Sequence, residues 1–164
     1  MSQEVQRLAA RFEDANRQVI AAIEACDDEQ LRARCPGERC TVAALACHVA
    51  EIHALGADWV RTLLAGRPLP PLTMDMVDRI NAEQFALNAD RTKAEVLERL
   101  RRHGGEAAGL LRGLGDADLD RTTPFALFGG PTVSVRQVID LVLIADPEGH
   151  LSSIRAAVAA PALS

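Results

Sequence analysis

The sequence predicts an all-α protein, a bundle of four long helices. Three observations carry that prediction. Apolar residues recur at three-and-four spacing through four long stretches, the period of one helix face. Capping residues open the later stretches, at Thr41, at Thr92 with Glu95, and at Ser134 with Gln137. No segment alternates apolar and polar residues convincingly enough to read as a strand.

The first helix is expected from about Ser2 to Ala25, with Val5, Leu8, Phe12, Ala15, Val19 and Ala22 as its apolar stripe. Cys26-Asp27-Asp28 ends it, and Cys35-Pro36-Gly37-Glu38-Arg39-Cys40 reads as a turn around Pro-Gly. Thr41 caps a second helix reaching about Ala65, whose core face runs Leu45, His48, Ile52, Leu55, Trp59 and Leu63. Gly66 and three prolines, Pro68, Pro70 and Pro71, form a stiff loop after it. A third helical region starts near Asp75, with Val77, Ile80, Phe85 and Leu87 as its apolar positions and a break at Asn88-Ala89-Asp90. The capping box at Thr92 then opens a helix from Lys93 to about Leu114, with Gly104-Gly105 weakening its middle. Gly115 to Pro131 reads as a loop with a short apolar piece. The last helix runs from the Ser134 box to about Ala160, ahead of Pro161.

A chain of 164 residues suits one domain, 1–164, with a core of useful size. Its net charge is −5 and its basic residues are scattered, so nucleic-acid binding has no electrostatic support. Aromatic residues are 3% with no Tyr, which also argues against base-stacking platforms. The charged first residues hold no apolar signal region, and no apolar run approaches the ~18 residues of a membrane span. A cytoplasmic protein is the expectation. Lys93 is the only lysine among many arginines and alanines, a composition in keeping with a GC-rich bacterial genome. The four cysteines, Cys26, Cys35, Cys40 and Cys47, fit no zinc-ribbon or CxxC spacing and default to free, packed thiols, although Cys35 and Cys40 can approach each other around Pro36-Gly37.

The chemistry centres on the last helix. Ile139, Leu143, Ile154 and Ala157 mark its apolar stripe, and Asp146 and His150 fall on that stripe four residues apart. A buried carboxylate and imidazole need a reason, because unpaired buried charge is costly. His48, inward on the second helix, supplies a third donor. Two histidines and a carboxylate suit Zn²⁺, with Ni²⁺, Fe²⁺ or Mn²⁺ as alternatives, and three protein ligands leave coordination positions open for substrate. The competing reading makes Asp146 the N-cap and Pro147 the first position of a helix that restarts after Ala145. Glu51, one turn after His48, is a candidate partner or base, and Arg136 and Arg155 are candidate anion binders; for all three, a solvated helix surface is the alternative. His103 is a further candidate ligand or proton carrier beside its packing role, and His53, off the His48 stripe, reads as exposed. No nucleophile elbow, phosphate loop or dinucleotide fingerprint is present.

At TVAALACHVAEIHALGADWV, the proline-rich loop, INAEQFALNADRTKAEVLERL and VIDLVLIADPEGHLSSIRAAV, the chain resembles the DinB/YfiT-like superfamily. It is most like the branch containing the N-terminal domain of mycothiol-dependent maleylpyruvate isomerase, and the resemblance runs from about Ala9 to Val158. What the resemblance implies is a four-helix bundle that often dimerises. A divalent metal would sit near one end, held here by His48, Asp146 and His150, with Asp where the isomerase branch carries Glu. It also implies a mycothiol-type thiol as cosubstrate to a small-molecule substrate. The resulting expectation is a thiol transferase or isomerase with zinc at that trio and catalytic roles for Glu51 and Arg155. A metal-dependent hydrolase, or a non-enzymatic binding or stress-response module, is the alternative.

Overall fold

The computed structural model describes residues 2–160. Pro161, read above as the stop to the last helix, lies outside the described residues. Four long helical stretches form the bundle: α1 (Gln3–Glu24), α3 (Val42–Leu64), α5 (Lys93–Arg112) and the closing stretch 135–159. The short α2 (Asp28–Arg32) and the 15-residue α4 (Met74–Asn88) lie between them. Thr41 and Thr92 cap their helices as the sequence reading expects, and Ser2 caps α1, each accepting from the amide three residues on.

The connections follow from how the core divides. One apolar cluster joins Leu8 and Phe12 of α1, Val60 and Leu63 of α3, Leu111 of α5, and Val138 and Leu143 of the closing stretch. A second joins Val19 and Ile23, Leu45 and Val49, Val96 and Leu100, and Leu151 and Ile154. The halves that share a cluster show that α3 and α5 run parallel, while α1 and the closing stretch run the other way. Two parallel neighbours cannot be joined by a tight turn, so residues 65–92 cross the length of the bundle, and α4 is the helical part of that crossover.

This makes α4 something other than a core helix. Only Asn88 of it is buried. Ile80 and Leu87, two of the apolar positions read above, are exposed, and Val77 and Phe85 are half-buried. Leu55 of α3 is also exposed, beneath α4 rather than in the core.

Between the two apolar clusters lies a thin polar layer. His53 is fully buried, contrary to its expected exposure, and packs edge-on to Phe12 at 4.9 Å between ring centroids. Neither of its ring nitrogens has a hydrogen-bond partner. Burial, with His103 adding to it, pushes the His53 pKa down to about 4. Gly104 sits in the same layer because a β-carbon there would come within 2.1 Å of the Asn16 amide. The helix runs through Gly104-Gly105 without a break.

The stretch from 115 to 134 is more ordered than a loop. It holds α6 (Asp116–Leu119) and a two-stranded antiparallel ladder, β1 (Thr122–Pro124) with β2 (Thr132–Ser134), in which Thr123 faces Val133. Strands of three residues are too short to show an alternating pattern.

The closing stretch does not break at Ala145. After the one-turn α7 (Val135–Gln137), residues Val138–Ala145 form a π-helix that passes into α8 (Asp146–Ala159). Ala145 and Asp146 both have helical backbone angles, and no side chain caps α8. A true N-cap would be extended, so the capping reading of Asp146 is overturned. The widened π turns carry the Asp146 N–H to the carbonyl of Leu141, five residues back. Pro147 then falls at the second position of α8, within the first turn, where a missing N–H costs little.

Candidate metal centre

The site is built where α3 meets the closing stretch. The two approach closely at Gly56, where a β-carbon would lie 2.5 Å from Leu143 Cδ2. That contact brings His48, two turns before Gly56, across from α8. One ligand atom each of His48, Asp146 and His150 lies within 4.8 Å of the others. The imidazole rings of His48 and His150 are 5.0 Å apart and edge to face, and Phe85 of α4 packs against the other side of His48 at 5.3 Å. The sequence placed all three on buried faces. In the structure the histidines are half-buried and Asp146 is exposed on the wall of a cleft.

His150 is the best-defined of the three. Its Nδ1 donates to Glu38 Oε1 at 3.2 Å, and Ser153 Oγ donates to the same oxygen at 2.9 Å. Glu38 can only accept, so Nδ1 carries a proton, and in the neutral ring Nε2 presents its lone pair. Nε2 is buried, has no hydrogen-bond partner and lies 3.4 Å from Asp146 Oδ2. An orphaned imidazole lone pair beside a carboxylate and a second imidazole is the donor set a divalent cation fits. The protonation states are split. Burial works against the charged form of His150, but the Asp146 and Glu38 carboxylates outweigh it and raise its pKa. Burial, with the His150 charge adding, pushes His48 down to about 4.

Glu38 was missed by the sequence reading, which took its loop for a simple turn. Gly37 and Arg39 both have positive φ, and the Arg39 carbonyl is held by the Arg34 guanidinium at 3.2 Å. This tight backbone folds Glu38 towards α8, 112 residues away in sequence. Nothing local in the chain announces that pairing.

Glu51 and Arg155 are not brought to the trio. Glu51 faces Arg99 at 3.7 Å, and Arg155 donates to Gln18 of α1 at 3.1 Å on the bundle surface. Arg136 pairs with Glu4, and His103 faces Glu106 at 3.9 Å, away from the cleft.

The cleft has a volume of about 990 Å³. The trio and Glu38 line one end, and Ile52, Leu55, Trp59, Val77, Phe85 and Leu141 supply apolar wall. Its size and largely apolar lining with a few convergent polar groups suit a small organic molecule.

The model of the DinB superfamily matches residues 11–144. The chain belongs to the DinB superfamily. The matched span includes His48 and stops just before Asp146 and His150. Two solved structures are similar to the chain over 95% of its length. One is YfiT from Bacillus subtilis, described as a probable metal-dependent hydrolase with an unusual four-helix bundle topology, at 17% identity, TM-score 0.72 and 89% of that chain. The other is DfsB, a sibling lethal factor precursor, at 20% identity, TM-score 0.73 and 95% of that chain. Both share the fold. A comparison with curated protein sequences finds no match.

Proposed function

We propose that this DinB-like chain is a metal-dependent enzyme acting on a small molecule in the α3–α4–α8 cleft. The observation that carries the reading is the meeting of three donor atoms within 4.8 Å, one of them an orphaned imidazole nitrogen. His48, Asp146 and His150 would hold the ion, and two imidazoles with one carboxylate favour Zn²⁺. A bound divalent cation lowers the pKa of a thiol or water that reaches it, and so supplies a nucleophile at neutral pH. The chain's own groups prepare for this. Glu38 orients His150 and fixes its tautomer. His48 stays neutral and available, because burial disfavours its charged form. The apolar wall seats the carbon skeleton of the substrate.

The nucleophile we assign is a low-molecular-weight thiol of the mycothiol type, which makes the reaction a thiol transfer or thiol-assisted isomerisation. Support comes from the resemblance of the three motifs to the isomerase branch. A second reading puts water in place of the thiol and makes the protein a hydrolase. The description of the YfiT structure favours it. Zinc-loaded protein incubated with an electrophile and mycothiol, and separately with ester and amide substrates, tells them apart. Zinc-dependent conjugation supports the thiol reading, and zinc-dependent hydrolysis without conjugation overturns it. Sedimentation velocity tests the homodimer that the resemblance suggests.

A further inference from the structure

The loop that carries Glu38 is closed by two cysteines. Cys35 N–H donates to the Cys40 carbonyl at 2.9 Å, and Arg34 and Thr41 pair as an antiparallel bridge one step outside them. Cys35 and Cys40 therefore stand directly opposite one another. Opposed residues of an antiparallel pair have Cα atoms about 4.5–5.5 Å apart, inside the span of roughly 4.4–6.8 Å that a disulfide bridges. The two thiols are close enough to act on each other's titration, Cys40 holding the Cys35 thiol up and Cys35 holding the Cys40 thiol down. Both cysteines are buried, and Cys40 is among the residues lining the cleft, the side from which a small reagent approaches. The other two cysteines are placed differently. Cys26, just past the end of α1, donates to the carbonyl of Ala22, and Cys47 lies within α3.

We propose that Cys35 and Cys40 form a reversible disulfide that latches the loop holding Glu38 against His150. The oxidant is a low-molecular-weight disulfide, RSSR. The Cys40 thiolate attacks one sulfur of RSSR, forming a mixed disulfide and releasing RS⁻. Cys35 then attacks the Cys40 sulfur and releases the second RS⁻. The two protein thiol protons pass to the two leaving thiolates, so the protein loses two hydrogens and RSSR becomes 2 RSH. Cross-linking the two ends of a short loop removes open conformations in which Glu38 leaves His150. The inference stands without the metal reading, because the geometry of the two thiols does not depend on an ion.

The test treats reduced, folded protein with glutathione disulfide and maps the product without reduction. Trypsin separates Cys35 from Cys40 by cleaving after Arg34 and Arg39. The expected product links peptide 35–39 to Cys40 of peptide 40–61, in wild type and in Cys47→Ala alike, and is lost in Cys40→Ser. Amide exchange across 36–39 slows in the oxidised form. No linked peptide, or a bond from Cys35 to Cys26 or Cys47, overturns the pairing, and unchanged exchange overturns the latch. His150→Ala distinguishes this from failure of the metal reading: it removes any bound metal and leaves the disulfide in place.

Discussion

Glu38 Oε1 accepts from His150 Nδ1 at 3.2 Å, across a separation of 112 residues. The carboxylate fixes which imidazole nitrogen is free and where it points. Loss of such a carboxylate beside a ligating histidine costs about 10–100-fold in metal affinity. Glu38→Ala is therefore expected to weaken zinc binding by that order, and Glu38→Gln, which still accepts through its amide oxygen, by less. Competition with a chromophoric chelator gives both values. Equal affinity in wild type and Glu38→Ala would show that the pair does not serve the site.

Metal binding carries a proton signature. The Asp146 and Glu38 carboxylates raise the His150 pKa, so the metal-free site holds a proton there at a pH where an ordinary imidazole begins to lose it. His48, pushed down to about 4, is already neutral. A cation must displace the His150 proton, so affinity falls as pH drops through the raised pKa. Titration calorimetry in two buffers of different ionisation enthalpy is expected to show release approaching about one proton per ion at slightly acid pH. Heats independent of buffer would contradict this.

His53 sets an acid limb on stability. Its pKa falls from 6.5 to about 4 on folding because the ring is buried. Between those values the unfolded chain binds the proton and the folded chain does not, so stability drops as pH falls through that window. The shift corresponds to roughly 3 kcal/mol by pH 4. His53→Leu removes this contribution. The difference in unfolding free energy between variant and wild type should move in favour of the variant by about that amount from pH 7 to pH 4. A constant difference in urea melts would count against the buried, neutral assignment.

Gly56 and Gly105 form a contrasting pair. A methyl group at Gly56 meets the fully buried Leu143 side chain, whereas one at Gly105 meets nothing within 4 Å. Overpacking of this kind costs about 1–3 kcal/mol, against a helix-propensity gain of up to ~1 kcal/mol. Gly56→Ala should be net destabilising and should also weaken zinc binding, since it separates α3 from the helix bearing Asp146 and His150. Gly105→Ala should be stabilising by ~0.5–1 kcal/mol. Thermal melts read both signs, and a stabilising Gly56→Ala would mean that the two helices tolerate separation.

Much of this was legible in the sequence, and the failures have physical reasons. Thr41, Thr92 and the apolar stripes of α1, α3 and α5 are local signals, and local signals place helices well. Asp146 and His150 were visible because a spacing of four sets side chains on one face. The fate of Pro147 was not visible, since a π-helix leaves no clear mark in residue types and the sequence offered only a break or a kink. Ile80 and Leu87 look like core residues, but α4 is a crossover with little core to pack against, a property of topology rather than periodicity. His53 misled for a related reason. Beside a parallel α5 and an antiparallel α1, most of the circumference of α3 is buried, so a position off the main stripe is inside as well. Glu38 depended on a turn with two positive φ angles and a partner at the far end of the chain.

The central claim is that His48, Asp146 and His150 hold one divalent ion. Tag-free protein, stripped with chelator and titrated with Zn²⁺, tests it most directly by calorimetry and elemental analysis. One equivalent per chain is expected for wild type, with binding abolished in His150→Ala and sharply reduced in His48→Ala and Asp146→Ala, while all three variants keep the wild-type circular dichroism. No stoichiometric zinc in the wild type, or undiminished zinc in His150→Ala, would contradict it.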